Sequence, residues 1–180
     1  MSRTATVHVV ARGMTIVNAA AAACAVILLA LIFIVLIAEL VSRNLFHHSF
    51  AGSWELAAYM MASMFFLGLA PALQMDTHVR VRILSEALSP RLARVLEGVV
   101  LIVATIVTAF AALALVELAL TSFTRGSKSW ELALPLAIPQ SMVALGMTLF
   151  SLSFLARFVL LALGQDPNRD HDDAVTERAS

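Results

Sequence analysis

The sequence predicts an all-α integral membrane protein with four transmembrane helices and both termini in the cytoplasm. Three observations predict it. The 180 residues are 61% apolar and 13% charged, whereas soluble domains hold about 45–50% apolar and about 25% charged residues. The apolar residues collect in four runs, at about 15–41, 54–75, 96–120 and 139–163, and each approaches or exceeds the roughly 20 residues that cross a bilayer. The basic residues divide unevenly between the segments that join those runs.

The first run, Thr15 to Val41, follows a short N-terminal segment, 1–14, read as cytoplasmic. A cleaved signal places small residues after its apolar stretch. Here Ala19 to Ala23 precede the Leu/Ile-rich part, so the run reads as an uncleaved helix. The second run goes from Trp54 to Met75 and the third from Leu96 to Leu120. The fourth starts near Leu132 but carries Pro135 and Pro139, which predicts an irregular entry and a helix beginning near Pro139. Hydrocarbon offers the backbone no hydrogen bonds, so every span must be helical. The polar stretch 164–180, with Asp170, Asp172 and Asp173, has little to bury and reads as a disordered cytoplasmic tail.

Orientation follows from lysine and arginine. Arg3 and Arg12 precede span 1, Arg80, Arg82, Arg91 and Arg94 lie between spans 2 and 3, and Arg157, Arg169 and Arg178 lie at the C-terminal end. The other side has Arg43, Arg125 and Lys128. The richer side is expected inside. A formal net charge of zero gives no general attraction for nucleic acid.

The ionisable residues gather at span ends. Glu39 precedes Arg43 by one helical turn, within reach of a salt bridge. Glu55 sits in the first turn of span 2, where a carboxylate suits the positive end of the helix dipole. Glu117 and Glu131 lie near the outer ends of spans 3 and 4. This acidic outer rim has two readings, interfacial anchoring and a docking surface for an external partner. Arg157 either snorkels to cytoplasmic headgroups or pairs with Glu97. Arg80, Arg82, Arg91 and Arg94 are further headgroup ligands. Trp54, Tyr59 and Trp130 suit an aromatic belt, and Ala104, Thr108 and Ala112 a close helix contact.

Several chemistries find no residues. His8, His47, His48, His78 and His171 lie outside the spans, so no intramembrane pair is offered to a haem. His47 and His48 are adjacent, without a third metal ligand in view. Cys24 is the one cysteine, which excludes an internal disulfide and a CxxC pair. No phosphate loop, GxSxG or HExxH occurs. No catalytic residue, cofactor or metal site is expected.

The stretch from Glu39 through Arg43-Asn44-Leu45-Phe46, Ser53-Trp54-Glu55-Leu56 and Tyr59 to Phe65-Phe66-Leu67-Gly68 and His78-Val79-Arg80-Val81 has an order and spacing seen elsewhere. It resembles the small permease subunit of tripartite ATP-independent periplasmic (TRAP) transporters, the DctQ-like family. The Leu134-Pro135-Leu136 and Ile138-Pro139 region also fits, so the resemblance spans roughly 15–163. It departs at Arg82, where the family often has an acid, and at Glu55, where it often has two. The resemblance implies a non-catalytic inner-membrane subunit that scaffolds a large permease subunit. It further implies sodium-coupled uptake of an organic acid delivered by a periplasmic substrate-binding protein. By the same resemblance Glu39, Arg43, Trp54, Glu55, Tyr59, Gly68, His78 and Arg80 become candidates for the partner interface, and Glu117 joins them from the acidic outer rim. A membrane anchor for a redox enzyme and a self-sufficient small four-helix transporter are the competing readings.

Overall fold

The computed structural model describes residues 2–75 and 90–163, with side chains described for 13–74 and 92–163. Four helices account for most of them: α1 (Ser2–Leu45), α2 (Ser53–Met75), α3 (Pro90–Arg125) and α4 (Ala137–Ala162). All four are long and apolar enough to cross a membrane, and no strand occurs among the described residues. The tail, 164–180, lies outside them.

The helices begin and end for local reasons. α1 runs 44 residues without a break, absorbing the N-terminal segment that composition alone separates from the span. It stops where His47 turns left-handed at φ 51°, so that the Phe46 and His48 N–H groups donate to the Ser42 carbonyl. Histidine is among the non-glycine residues that tolerate this conformation. α2 starts after Gly52, whose φ of 83° suits glycine. Pro71 sits inside α2 without ending it. α3 opens on Pro90, whose missing N–H costs nothing at a first helical position. It closes at Gly126, φ 61°, with the Ser127 N–H donating back to the Ser122 carbonyl. α4 starts two residues before Pro139, close to the expected position.

The packing order differs from the chain order. α1 packs on α2, α2 on α4, and α4 on α3, while α1 touches α4 lightly. Among the described residues α3 packs on neither α1 nor α2. The helices therefore form a row, α1–α2–α4–α3, rather than a closed four-helix bundle. Uniformly apolar helices carry no facing information, because every face is equally suited to lipid or protein.

The contact faces are narrow stripes. In α1 the buried and half-buried positions include Asn18, Ala21, Ala25, Leu28, Ile32, Val35, Glu39 and Ser42. Their alternating spacing of three and four residues is the seam of a left-handed helix pair. In α3 the buried stripe is Leu101, Thr108, Ala112, Ala119 and Ser122, which includes two of the three small residues singled out from the sequence. α2 and α4 both run away from the end that carries the 46–52 and 126–136 loops, so they are parallel neighbours. Their backbones meet at Gly146, where an added Cβ would lie 2.5 Å from the Phe66 carbonyl carbon and 2.7 Å from the Leu67 nitrogen. Gly68, singled out from the sequence, has open space instead, with nothing within 4 Å of an added Cβ.

Hydroxyl groups within the spans are satisfied locally. Ser63 donates to the Tyr59 carbonyl, Thr108 to Ala104, Thr148 to Ala144 and Ser153 to Leu149, each one turn back. Asn18 is an exception, as are the Ser53 hydroxyl and the Gln140 side-chain carbonyl oxygen. Asn18 is 1% exposed, and neither of its amide atoms has a hydrogen-bond partner among the described residues.

Gly146→Ala should destabilise the isolated subunit by about 1–3 kcal/mol, the usual cost of overpacking, and Gly68→Ala by less than about 0.5 kcal/mol. Thermal unfolding of both variants in one mild detergent tests the pair. Equal midpoints would contradict the assigned crossing.

Candidate partner interface

The richest polar chemistry lies at the end that carries the two loops. Glu55, in the first turn of α2, accepts three consecutive backbone N–H groups from the 126–136 loop: Trp130 at 3.2 Å, Glu131 at 3.1 Å and Leu132 at 3.2 Å. The Tyr59 hydroxyl, one turn on, donates to Oε1 of the same carboxylate at 2.7 Å. An anion receiving several N–H bonds makes the charge-assisted kind, stronger than neutral ones. Leu132 then lies over Gly52, where a Cβ would come within 2.6 Å of its Cγ. The loop is further closed by the Ser129 N–H to the Leu134 carbonyl, 2.8 Å, and the Leu136 N–H to the Ser127 carbonyl, 3.0 Å.

Glu39 does the same for the first loop. It is 4% exposed and accepts the Ser49 hydroxyl at 2.5 Å and the Phe50 N–H at 2.9 Å. Ser42 donates to the His48 carbonyl at 2.7 Å. The one-turn spacing to Arg43 suggests a salt bridge, but the carboxylate turns to the loop, and Arg43 is exposed. Both acids thus bind their own chain. Trp54 and Trp130 remain exposed, Trp130 at 97%.

At the opposite end, Arg157 donates to the Leu73 carbonyl, in the last turn of α2. Carbonyls there lack helical partners, and a cation suits the negative end of the helix. Arg157 also feels the charge of Glu97. The side chain is therefore engaged inside the protein, rather than directed wholly at headgroups. Arg94 is exposed on α3. His78, Arg80 and Arg82, and the side chain of Arg91, lie outside the described residues.

With that geometry in view, comparison with known families is decisive. The family model for tripartite ATP-independent periplasmic transporters, DctQ component, matches residues 32–164, well over half of the chain. The chain belongs to the DctQ family. Comparisons with curated proteins and with solved structures returned no match. DctQ proteins are components of tripartite transporters, and this member is a multi-pass membrane protein with four apolar helices. The match begins within α1 and ends just past α4, so it contains both loops, both loop-binding acids and the α2–α4 crossing.

Of the residues singled out from the sequence, the structure brings Glu55 and Tyr59 into contact and gives Glu39 hydrogen bonds from Ser49 and Phe50, with the charge of Arg43 still felt there. Glu117 is exposed on α3. Sequence reasoning missed Gly146, Asn18 and the Glu55 loop clasp. A glycine in span 4 and an asparagine in span 1 were visible signals for the first two. Nothing local signals the third, whose partners lie 75 to 77 residues away.

Glu55→Gln replaces one acceptor oxygen by a donor facing backbone N–H groups. Trypsin should then cleave at Lys128 several-fold faster than in the wild type, with Tyr59→Phe intermediate. Limited proteolysis in detergent, read by mass spectrometry, checks the order. Equal cleavage rates would refute the clasp.

Proposed function

We propose that this DctQ protein is a non-catalytic scaffold. It holds the large permease subunit of a tripartite transporter in the bacterial inner membrane, with both termini cytoplasmic. The transporter takes up an organic acid delivered by a periplasmic substrate-binding protein, driven by a cation gradient, sodium in this reading.

The observation that carries the reading is the way the polar groups within the spans are used. Glu39, Glu55 and Arg157 bind the chain itself, and the Ser63, Thr108, Thr148 and Ser153 hydroxyls return to their own helices. A transport site instead turns polar side chains and broken helix ends toward a cavity at mid-membrane. A row of four helices with two apolar faces supports a larger neighbour and offers no closed interior for a substrate. The membrane orientation rests on the basic side, with Arg80, Arg82, Arg91 and Arg94 among its residues. There these arginines also bind anionic headgroups, at about 1 kcal/mol each. The loop end then faces the periplasm, where Trp54 and Trp130 meet the headgroup layer and any docked binding protein.

Uptake into proteoliposomes tests this. The probes are radiolabelled mono- and dicarboxylic acids under an imposed sodium gradient, with the binding protein supplied. Uptake should require this chain and the large subunit together. Uptake by this chain alone would overturn the proposal and favour a self-sufficient transporter, and so would undiminished uptake by the large subunit without it.

A further inference from the structure

The two loops at one end of the row use their backbones differently. In 126–136, Pro135 aside, every N–H group except those of Lys128 and Ala133 donates within the chain. Gly126 donates to the Phe123 carbonyl and Ser127 to that of Ser122. Ser129 and Leu136 donate across the loop to Leu134 and Ser127, and Leu134 to the Ser129 hydroxyl. Trp130, Glu131 and Leu132 donate to Glu55. In 46–52, Phe46, His48 and Phe50 donate within the chain, whereas His47, Ser49, Ala51 and Gly52 do not among the described residues. Water accepts from any open N–H, so a loop in water has no need of such closure. Non-helical backbone at membrane depth does need it.

Composition and position agree with that difference. The closed loop holds Trp130, Leu132, Ala133, Leu134, Pro135 and Leu136, with Lys128 and Glu131 as its charges. The open loop holds His47, His48 and Ser49. Trp130 is 97% exposed, so its ring packs on nothing in this chain. The backbone from Trp130 to Leu132 lies beside Gly52 and Glu55, where the apolar span of α2 begins at Ser53. The loop is therefore level with the start of that span and does not project beyond it. Lys128, bridged to Pro135 across the loop, and Arg125 are exposed cations. Long basic side chains beside an apolar surface reach up to headgroups.

We propose that the 126–136 loop is a membrane anchor seated in the interfacial layer of the bilayer. Trp130, Ala133 and Pro135 face the upper acyl chains. Lys128 and Arg125 bind the lipid phosphates above them, and Glu131 reaches the water between headgroups. Glu55 thereby has a second role, since it satisfies three N–H groups that lipid would leave bare. A belt tryptophan brings its ring to the interface; here the backbone is immersed with it. The anchor follows from the fold and stands independently of the scaffold reading.

Depth measurements test it. The full chain is placed in bilayer discs of phosphatidylethanolamine and phosphatidylglycerol, with Trp54→Phe leaving Trp130 as the lone tryptophan. Phospholipids brominated near the top of the acyl chains should quench about half of its emission, and aqueous iodide little of it, as expected of an interfacial ring. A second measurement uses cells that express the whole transporter. There Ala133→Cys, in a Cys24→Ser background, should react with a membrane-impermeant maleimide about tenfold more slowly than Ala51→Cys, because apolar surroundings disfavour the thiolate. Iodide quenching without bromolipid quenching would overturn the anchor, as would labelling of Ala133→Cys as fast as Ala51→Cys. Protection of Trp130 from both quenchers would put protein over the loop and overturn it too.

Discussion

The junction of α2 and α4 is held at three depths by three different kinds of contact. At the loop end, the Glu55 carboxylate gathers the Trp130, Glu131 and Leu132 N–H groups that lead into α4. At mid-height, Gly146 lets the α4 backbone lie against Phe66 and Leu67. At the far end, Arg157 donates to the Leu73 carbonyl. These helices are parallel and are not consecutive in the chain, so no short turn aligns them. In lipid there is no hydrophobic force to press one apolar helix on another. The alignment has to come from close backbone packing and from polar contacts whose loss leaves charged or orphaned groups behind. α1 and α3 then add to either side of this pair.

That arrangement decides what the molecule is suited to do. A closed bundle buries its apolar residues on an axis, where a polar site can also form. A row has no axis. Large apolar residues are exposed along all four helices, among them Phe33, Phe65, Phe110 and Leu145, and a bilayer or a neighbouring membrane protein covers them. Meanwhile the loop end is stiffened by two acids that each bind backbone. A stationary subunit benefits from both properties: broad apolar contact along its sides and a rigid, aromatic-bearing end. Membership of the DctQ family gives those properties a setting in a tripartite transporter.

Much of this was legible in the sequence, and the remainder was not for identifiable reasons. Span number and type follow from run length, because the bilayer sets a length and lipid enforces helix. The start of α4 was legible from Pro139, and the α3 seam partly from Thr108 and Ala112. The order of the row was hidden, since helices apolar on every side show no preferred face. Gly68 drew attention through family resemblance, yet the glycine that the packing needs is Gly146. A glycine's role depends on what approaches it, which is a tertiary fact. Glu39 with Arg43 looked like a helix-surface pair, but the loop's Ser49 and Phe50 supply better donors than an exposed arginine. Position alone left Arg157 two readings, headgroups or Glu97, and neither named the Leu73 carbonyl. A helical side chain leans toward the N-terminal end of its own helix, which carries the guanidinium up to Leu73.

The proposed scaffold role requires that the row stay rigid while its partner works. Pulsed spin-label distance measurement across the row tests it most directly. The labels go on cysteines replacing Ile27 in α1 and Val100 in α3, in a Cys24→Ser background because Cys24 is itself exposed. The assembled transporter is measured in bilayer discs with and without substrate, sodium and binding protein. The account predicts one distance distribution under all conditions. A shift of several ångströms on adding substrate and sodium would contradict it, by showing that these four helices take part in the transport motion.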